Sequence, residues 1–202
     1  MVARYPVVLA SESPRRRELL SKLFDKFEVV PSGVPEEMPE HGEPERVAKR
    51  LARAKALGVA IARPDALVIG ADTVVAVGGR LLEKPATHED AVRMLMLLSG
   101  REHTVTTGVA LVWPAANGVA AGKHAFADTV VVRFRRFSKE EANAYVETGE
   151  PMDKAGAYAI QGGAAQLVEL VHGDTDTVIG LPVAPLREIL VRLRLVVEFA
   201  ER

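Results

Sequence analysis

Four segments of the chain combine residue types and spacings that could do chemistry. The first is the run Ser-Glu-Ser-Pro-Arg-Arg-Arg at residues 11–17, which follows a short apolar stretch. Ser13 and Pro14 are typical of a helix N-cap and first turn, where unpaired N–H groups can receive an anion. Arginines there oppose the helix dipole but offer planar donors to phosphate oxygens. The pattern fits a phosphate site or a solvated basic turn, and it is not a P-loop, because no GxxxxGK[ST] motif occurs.

The second position is Asp72. It follows the apolar run Leu-Val-Ile-Gly-Ala at residues 67–71, which predicts a buried strand that ends at the aspartate. A carboxylate at the end of a buried strand is held rigidly, and it is a frequent metal ligand or general base. The alternative is an aspartate that only caps a turn, and the spacing does not separate the two.

Two lysines form the third set. Lys55 falls on the apolar stripe of a predicted helix over about residues 44–60, where it could also bury only its aliphatic stem. Lys84 follows a hairpin predicted for residues 73–83, around a Gly-Gly pair, that begins directly after Asp72. Lys84 and Asp72 could therefore share one cleft, although either lysine alone is more typical of a surface.

The fourth segment is the glycine-rich run at residues 153–163. Glycines let a ligand approach the backbone closely, and Gln161 offers one donor and one acceptor to the edge of a nucleobase. The alternative is a structural connection with Tyr158 and Ile160 packed inward. The five histidines show no metal-ligand spacing, which indicates structural or surface positions.

The elements that must position these residues alternate between helices and strands. Apolar periodicity and capping signals predict helices near residues 13–24, 44–60, 87–100, 138–148 and 183–193, and strands near residues 7–10, 67–71, 73–77, 80–83, 104–113, 125–137 and 166–171. We therefore predict an α/β fold with a mixed twisted sheet flanked by helices. The length of 202 residues fits a single domain over residues 1–202, with two lobes around a cleft.

Composition narrows the partners and the compartment. A formal net charge of −1 gives no electrostatic basis for binding a nucleic-acid polymer. The absence of cysteine excludes disulfides and Cys-based zinc sites and suits a reducing compartment. The first apolar run is too short for a signal peptide, and the longest uncharged stretch, residues 103–122, contains polar residues at a strand-like period. We expect a cytoplasmic protein with no membrane partner.

Taken together, these segments resemble the Maf family of nucleotide pyrophosphatases over nearly the whole chain. The motifs that carry the resemblance are residues 9–16 (Leu-Ala-Ser-Glu-Ser-Pro-Arg-Arg), 70–75 (Gly-Ala-Asp-Thr-Val-Val), 83–85 (Glu-Lys-Pro), 98–100 (Leu-Ser-Gly), 103 (His), 107–111 (Thr-Gly-Val-Ala-Leu), 145–146 (Tyr-Val), 153–162 and 178–182 (Val-Ile-Gly-Leu-Pro). Any one motif is weak, but six in the same order are specific. The resemblance implies a fold similar to inosine-triphosphate pyrophosphatases, cleavage between the α and β phosphates, and often a homodimer.

The resemblance also implies roles for single residues. Asp72 matches the catalytic aspartate, described as the proton acceptor. The positions that hold phosphates correspond to Ser11, Arg16, Lys55 and Lys84. The positions that follow substrate choice correspond to Arg15, Thr73 and Gln161, a combination similar to the dTTP/UTP branch. The 7-methyl-GTP branch has glutamine directly after the catalytic aspartate. A divalent metal cation, Mg²⁺ or Mn²⁺, is implied, with Asp72 and Glu36 as its carboxylate ligands.

The sequence departs from the family pattern at four places. Glu12 stands where a small residue is common, Pro35 replaces an acidic residue before Glu36, and Ala159 replaces a glycine. Residues 174–176 (Asp-Thr-Asp) replace a more aromatic or serine-containing stretch. None of these departures affects Asp72 or the three specificity positions.

Two functions are consistent with these residues. The first is a hydrolase that converts dTTP, UTP and modified pyrimidine triphosphates to the monophosphate and pyrophosphate, with Asp72 accepting the proton of the attacking water. The second is a nucleotide-binding regulator of cell division or septum formation, with incidental hydrolysis, because the family is also associated with septum formation. Asp72 favours the hydrolase, since a carboxylate facing a polyphosphate would weaken a site that only binds.

Overall fold

The computed structural model describes residues 1–35, 39, 42–116 and 118–197. The helices there are α1 (Pro14–Ser21), α2 (Pro44–Ala62), α3 (His88–Leu98), α4 (Lys139–Val146), α5 (Thr175–Ile179) and α6 (Val183–Arg192). The strands are β1 (Val2–Ala3), β2 (Val7–Ala10), β3 (Glu28–Val29), β4 (Leu67–Val77), β5 (Arg80–Leu82), β6 (Glu102–Trp113), β7 (Gly122–Phe134), β8 (Val168–His172) and β9 (Val196–Val197). Three 3₁₀ helices, Glu150–Asp153, Ala155–Ala157 and Gly163–Leu167, lie between α4 and β8.

The main sheet mixes parallel and antiparallel strands. Its order is β3-β2-β4-β6-β7-β8, with β5 paired to the second half of β4. β3 and β4 are both parallel to β2, whereas β6, β7 and β8 follow as antiparallel neighbours. β1 and β9 form a separate antiparallel pair. The predicted α/β fold with a mixed sheet flanked by helices is confirmed.

The prediction that a strand ends at Asp72 is wrong. β4 continues from Leu67 to Val77, and Asp72 lies in its middle, opposite Gly108 of β6. The strand continues because β6 pairs with residues 68–76 and satisfies their backbone groups. On its other edge β4 changes partner, since β2 pairs with residues 67–70 and β5 with residues 75–77. Asp72 therefore lies at the opening between those two strands.

Helix α2 packs unusually close to the sheet. A Cβ atom on Gly70 would lie 2.5 Å from the Ala52 carbonyl oxygen, and one on Gly108 would lie 2.3 Å from the Ala48 carbonyl carbon. The helix face in contact is made of small residues, because Ala48, Ala52 and Ala56 are fully buried. Gly70, Gly108 and Asp72 lie on the same face of the sheet, since strand side chains alternate. This close approach brings α2 within reach of Asp72.

The apolar core is divided at the level of Asp72 and Thr73. One cluster joins the first half of β4 to α1 and α6, and a second joins the second half of β4 to α3 and α4. The smaller clusters under α2 divide at the same level of the strand. These clusters form the two predicted lobes, with the polar pair of β4 residues between them.

The structure confirms the helix caps that the sequence predicts. Ser13, Thr87 and Ser138 cap α1, α3 and α4 with their side-chain oxygens, and Ser138 forms a complete capping box with Glu141. Helix α5 was not predicted, because five residues are too few to show an apolar period. No helix in the part of the chain described above is long and apolar enough to span a membrane.

Candidate active site

A cleft of about 720 Å³ opens between the two lobes, beside Asp72 and Thr73. Its lining contains all the predicted site residues that the structure describes, namely Ser11, Arg15, Arg16, Lys55, Asp72, Thr73, Lys84 and Gln161. Glu36, predicted as a metal ligand, lies outside the described residues. The motifs that are scattered along the sequence therefore meet in one cavity.

Asp72 and Lys55 form a buried ion pair inside the cleft. Lys55 Nζ donates to Asp72 Oδ1 at 2.5 Å, and the aspartate and the lysine are only 6% and 5% exposed, respectively. Solvent screens such a pair weakly, and removing one partner leaves the other charge buried and uncompensated. Lys55 therefore does more than bury its stem, because its ammonium group holds the aspartate in a fixed position.

The start of α1 forms a second wall of the cleft. The Ser13 hydroxyl caps the helix by accepting the Arg16 N–H, and Pro14 occupies the first turn. The Ser11 hydroxyl accepts the Ser13 N–H at 3.2 Å and retains its own hydrogen for donation. Ser11, Arg15 and Arg16 thus surround a helix N-terminus, where free N–H groups and the dipole favour an anion.

Arg16 is tied to two other parts of the chain. Its Nε donates to the Gly180 carbonyl at 2.9 Å, and its second terminal nitrogen donates to Thr73 Oγ1 at 3.1 Å. Gly180 ends α5 with a φ of 126°, so glycine is favoured there. Asp174, one of the departures from the family pattern, caps α5 by accepting the Asp176 N–H. This departure therefore supports the short helix that holds Arg16.

Lys84 lines the cleft two residues after the end of β5. The carbonyl of Glu83 accepts the Gly156 N–H at 3.0 Å, which ties the end of β5 to the glycine-rich segment. Gly156 has a φ of 69°, and a Cβ atom there would lie 2.9 Å from a methyl group of Val75. Only glycine fits, and the segment rests directly on the strand that carries Asp72.

The backbone on both sides of Gln161 is fixed by side chains. The Ala159 N–H donates to the Tyr145 hydroxyl at 3.1 Å, and the Gly163 N–H donates to the Glu150 carboxylate at 2.8 Å. Ala159, which replaces the family's glycine, has no positive φ and is accommodated without strain. Gln161 is therefore presented to the cleft by an anchored turn.

Tyr158 anchors the same segment to the core. Its hydroxyl group lies 2.8 Å from His103 Nε2, and both rings pack edge-on against Phe134. Burial lowers the pKa of His103 to about 4, against a smaller opposite effect of the Arg101 backbone. His103 is thus a neutral structural residue, as the absence of metal-ligand spacing indicated.

Three residues that line the cleft or support its glycine-rich segment were not singled out for a role from the sequence. Lys154 lines the cleft with a side chain 15% exposed and forms an ion pair with Asp153. Partial burial alone would raise the pKa of Asp153, but this ion pair and the nearby Arg15 lower it below its usual value. Lys154 and Tyr145 lie in the matched motifs and could have been found there. Glu150 carries no sequence signal, because its contact with Gly163 depends on the tertiary fold.

The charges along the cleft nearly balance. Its lining carries the cations Arg15, Arg16, Lys55, Lys84 and Lys154 and the carboxylates Glu12, Asp72, Glu83 and Asp153. Among the described residues, no group of three or more His, Cys, Asp or Glu could hold a metal ion. Mg²⁺ is often held by one or two carboxylates together with substrate phosphates. The buried carboxylate of Asp72 fits that shared kind of site.

Comparisons with known proteins agree over most of the chain. The family model described as "Maf-like protein" matches residues 6–193, which include every cleft residue named above. The chain is 46% identical to a "dTTP/UTP pyrophosphatase" of Aquifex aeolicus, over 94% of this chain and 96% of that protein. It is 49% identical to a "dTTP/UTP pyrophosphatase" of Moorella thermoacetica, over 91% and 93%. A solved structure described as "The structure of the Staphylococcus aureus Ham1 protein" is 17% identical, covers 64% of this chain and 71% of that chain, and has a TM-score of 0.42.

Proposed function

Because this chain belongs to the family of Maf-like proteins, we propose that it is a nucleoside triphosphate pyrophosphatase that hydrolyses dTTP and UTP to the monophosphate and pyrophosphate. The observation that carries the proposal is the buried Lys55–Asp72 pair, which faces a cleft lined by further cations. Such a site combines a fixed carboxylate for general-base chemistry with donors for several phosphate oxygens.

The catalytic step uses Asp72 as the proton acceptor. A water molecule beside Asp72 attacks the α-phosphorus, its proton passes to the carboxylate, and the bond to the β-phosphate oxygen breaks. Arg16, Lys84 and the Ser11 hydroxyl group bind the pyrophosphate as its charge grows. These contacts accelerate the reaction to the extent that they are stronger in the transition state than in the bound substrate.

A divalent cation, Mg²⁺ or Mn²⁺, is part of this proposal. The cleft carries nearly as many carboxylates as cations, so its own side chains leave much of a triphosphate's charge uncompensated. Asp72 would hold the cation together with phosphate oxygens, and Glu36 remains a predicted further ligand. When bound, such a cation would supply Lewis-acid polarisation of the phosphate groups.

Base recognition is assigned to Gln161 and Arg15. The Watson–Crick edge of uracil or thymine has a ring N–H between two carbonyl oxygens. A glutamine amide can pair with one donor and one acceptor of that edge, and an arginine can donate to the remaining carbonyl. The anchored turn around Gln161 supports this assignment, since a fixed amide discriminates between bases better than a mobile one.

The most direct mutational test is Asp72→Asn, which keeps the shape of the side chain and removes the charge and the proton acceptor. Turnover of dTTP and UTP should fall by a factor on the order of 10² to 10⁴, as expected for loss of a general base. Glu12→Gln is the control, because it removes another carboxylate of the same cleft at a position where the family tolerates small residues. A variant that keeps more than about a tenth of wild-type turnover would exclude the base role.

The same variant separates the enzyme from the regulator. A protein that only reports nucleotide state should bind dTTP at least as tightly with asparagine at position 72 as with aspartate, and its wild type would release little pyrophosphate. The hydrolase should instead release pyrophosphate from dTTP with Mg²⁺, and Asp72→Asn should bind the nucleotide without turning it over. Calorimetric binding and pyrophosphate release, measured on the same samples, distinguish the two.

A further inference from the structure

A row of hydroxyl groups runs across the sheet from the cleft into the protein interior. Thr73 Oγ1, which accepts from Arg16, lies 2.8 Å from Thr107 Oγ1 on the neighbouring strand β6. Thr107 Oγ1 lies 2.6 Å from the carbonyl oxygen of Thr177 in α5. The Thr177 hydroxyl in turn donates to Asp128 Oδ2 at 2.5 Å. Thr107 and Thr177 are completely buried, so the middle of this row is shielded from water.

The direction of every hydrogen bond in this row is determined. A carbonyl oxygen can only accept, so Thr107 donates its single hydroxyl hydrogen to Thr177. Thr107 must then accept from Thr73, whose own hydrogen is used in that bond. Arginine can only donate, so Arg16 donates to a lone pair of Thr73. The hydroxyl of Thr73 therefore has no hydrogen left to donate to a nucleobase.

We infer that Thr107 is a positioning residue for the phosphate-binding Arg16, and that Thr73 influences the substrate through Arg16 rather than through the base. By fixing the hydrogen of Thr73, Thr107 directs a lone pair toward the guanidinium group. Gly180, which follows the same helix α5, fixes Arg16 Nε from the other side. The inference rests on the proposed function, since it concerns how the proposed site holds phosphate.

A positioned guanidinium group should matter in catalysis for a simple reason. Arginine has several rotatable bonds, and an unconstrained side chain loses rotamer entropy whenever it orders around a ligand. Two bonds to fixed acceptors pre-order the planar group before substrate arrives. Phosphate oxygens then meet donors already in place, and the benefit does not depend on which base the nucleotide carries.

The test replaces Thr107 by valine, which keeps the shape and removes the hydroxyl. We expect kcat/KM to fall about tenfold for dTTP, UTP and CTP alike, because the lone pair of Thr73 is no longer directed toward Arg16 and the charged hydrogen bond between them weakens. Thr107→Ser, which restores the hydroxyl, should recover activity to within about twofold of the wild type. The affinity for inorganic pyrophosphate with Mg²⁺, measured by calorimetry, should fall in the same way in Thr107→Val.

Thr106→Val is the matched control. Thr106 is also fully buried, is the neighbouring residue of β6, and shares a hydroxyl–hydroxyl bond of 2.9 Å with Thr129 on the opposite face. Thr106→Val loses a hydroxyl–hydroxyl hydrogen bond between neighbouring strands, as Thr107→Val does, but this bond does not involve Arg16. The kcat/KM and pyrophosphate affinity of Thr106→Val should therefore stay within about twofold of the wild type. Equal losses in the two variants would mean that Thr107 is only structural, and would overturn the inference.

A double-mutant cycle tests the route of the effect. In an Arg16→Ala background, Thr107→Val should change kcat/KM by less than about twofold, because the residue it acts through is gone. Full additivity would contradict the inference.

Thr73→Val, at a partly exposed position, provides a second variant should Thr107→Val fold poorly. It should weaken pyrophosphate binding and leave the ratio of dTTP to CTP hydrolysis unchanged, and a changed ratio with normal pyrophosphate affinity would refute the inference.

Failure of this inference differs from failure of the proposed function. If the wild-type protein released no pyrophosphate from any triphosphate, the proposed function would fall. If the wild type is active but Thr107→Val has the same kcat/KM and pyrophosphate affinity as Thr106→Val, only the positioning role of Thr107 is wrong.

Discussion

Arg16 and Lys84 both line the cleft, and we propose that both bind phosphate oxygens. Replacing either by alanine should lower kcat/KM by the equivalent of roughly 1.5–3 kcal/mol, the range for a hydrogen bond to a charged group. The loss should be the same for dTTP and GTP, because phosphates carry no base identity. Arg17→Ala is the control, since Arg17 is exposed and outside the cleft. If Arg16→Ala spared GTP hydrolysis, Arg16 would contact the base instead.

His103 should make folding stability depend on pH. Burial lowers its pKa from 6.5 to about 4. Between these values the unfolded chain binds a proton that the folded protein does not. The stabilisation is therefore complete above about pH 6.5 and is lost as the pH falls towards 4, by on the order of 3 kcal/mol in all. Urea unfolding of the wild type and His103→Gln measures the effect. The wild type should lose more stability than the variant on acidification, and parallel losses would contradict this role.

The roles of single residues could be predicted from the sequence to different extents. Asp72 and Lys84 could be predicted to share a cleft from the hairpin between them, whereas Ser11, Lys55 and Gln161 were placed with them only by the resemblance to the Maf family. Thr107 and Glu150 could not be assigned a role from the sequence. Their significance lies in contacts with Thr177 and Gly163, which only the folded chain brings together.

The packing of α2 on the sheet decides whether Lys55 reaches Asp72. Gly108→Ala would place a Cβ atom 2.3 Å from the Ala48 carbonyl carbon, so α2 must move outward. We expect a loss of about 1–3 kcal/mol in the free energy of unfolding, typical of overpacking. Turnover should fall on the order of tenfold or more, because small displacements in a catalytic site are costly. Urea unfolding and steady-state kinetics measure the two effects.

Gly78→Ala is the control for that variant. Gly78 has a φ of 57°, and a Cβ atom there would meet no other atom within 4 Å, so alanine costs only backbone strain of roughly 1–2 kcal/mol. It should destabilise the protein without slowing turnover. If both variants lost stability equally and neither lost activity, the contact between α2 and the sheet would not position Lys55.

Most helices and strands could be predicted from capping signals and apolar periods, but the continuity of β4 through Asp72 could not. The charge of Asp72 interrupts an apolar run, which locally is indistinguishable from the end of a strand. The strand continues because β6 pairs with it beyond the aspartate, and pairing between distant segments leaves no local mark in the sequence. The opening between β2 and β5, where Asp72 lies, could not be predicted for the same reason.

For the molecule as a whole, dTTP and UTP should be preferred over CTP, ATP, GTP and 7-methyl-GTP. Cytosine replaces one carbonyl by an amino group and lacks the ring N–H, so a site built around Gln161 and Arg15 for uracil leaves polar groups unpaired. Such mismatches cost about 1–3 kcal/mol each, or roughly ten- to a hundredfold in kcat/KM. Thymine and uracil differ by one methyl group and should differ little. Steady-state kinetics with one metal at one pH give kcat/KM for each triphosphate. A kcat/KM for CTP or a purine triphosphate that equals the values for both dTTP and UTP would contradict this preference.

Two properties of the whole chain stay predictions. The homodimer implied by the resemblance can be tested by sedimentation of the purified protein, with and without nucleotide. The cytoplasmic location can be tested by fractionation of the cells that make it.

We propose that this cleft breaks the bond between the α and β phosphates. Phosphorus NMR of UTP mixed with the protein and Mg²⁺ tests this proposal, because each product gives separate signals. We expect UMP and pyrophosphate to appear together in equal amounts, and both to be absent with Asp72→Asn. The appearance of UDP with inorganic phosphate, or UTP left intact by the wild-type protein, would contradict the proposed reaction.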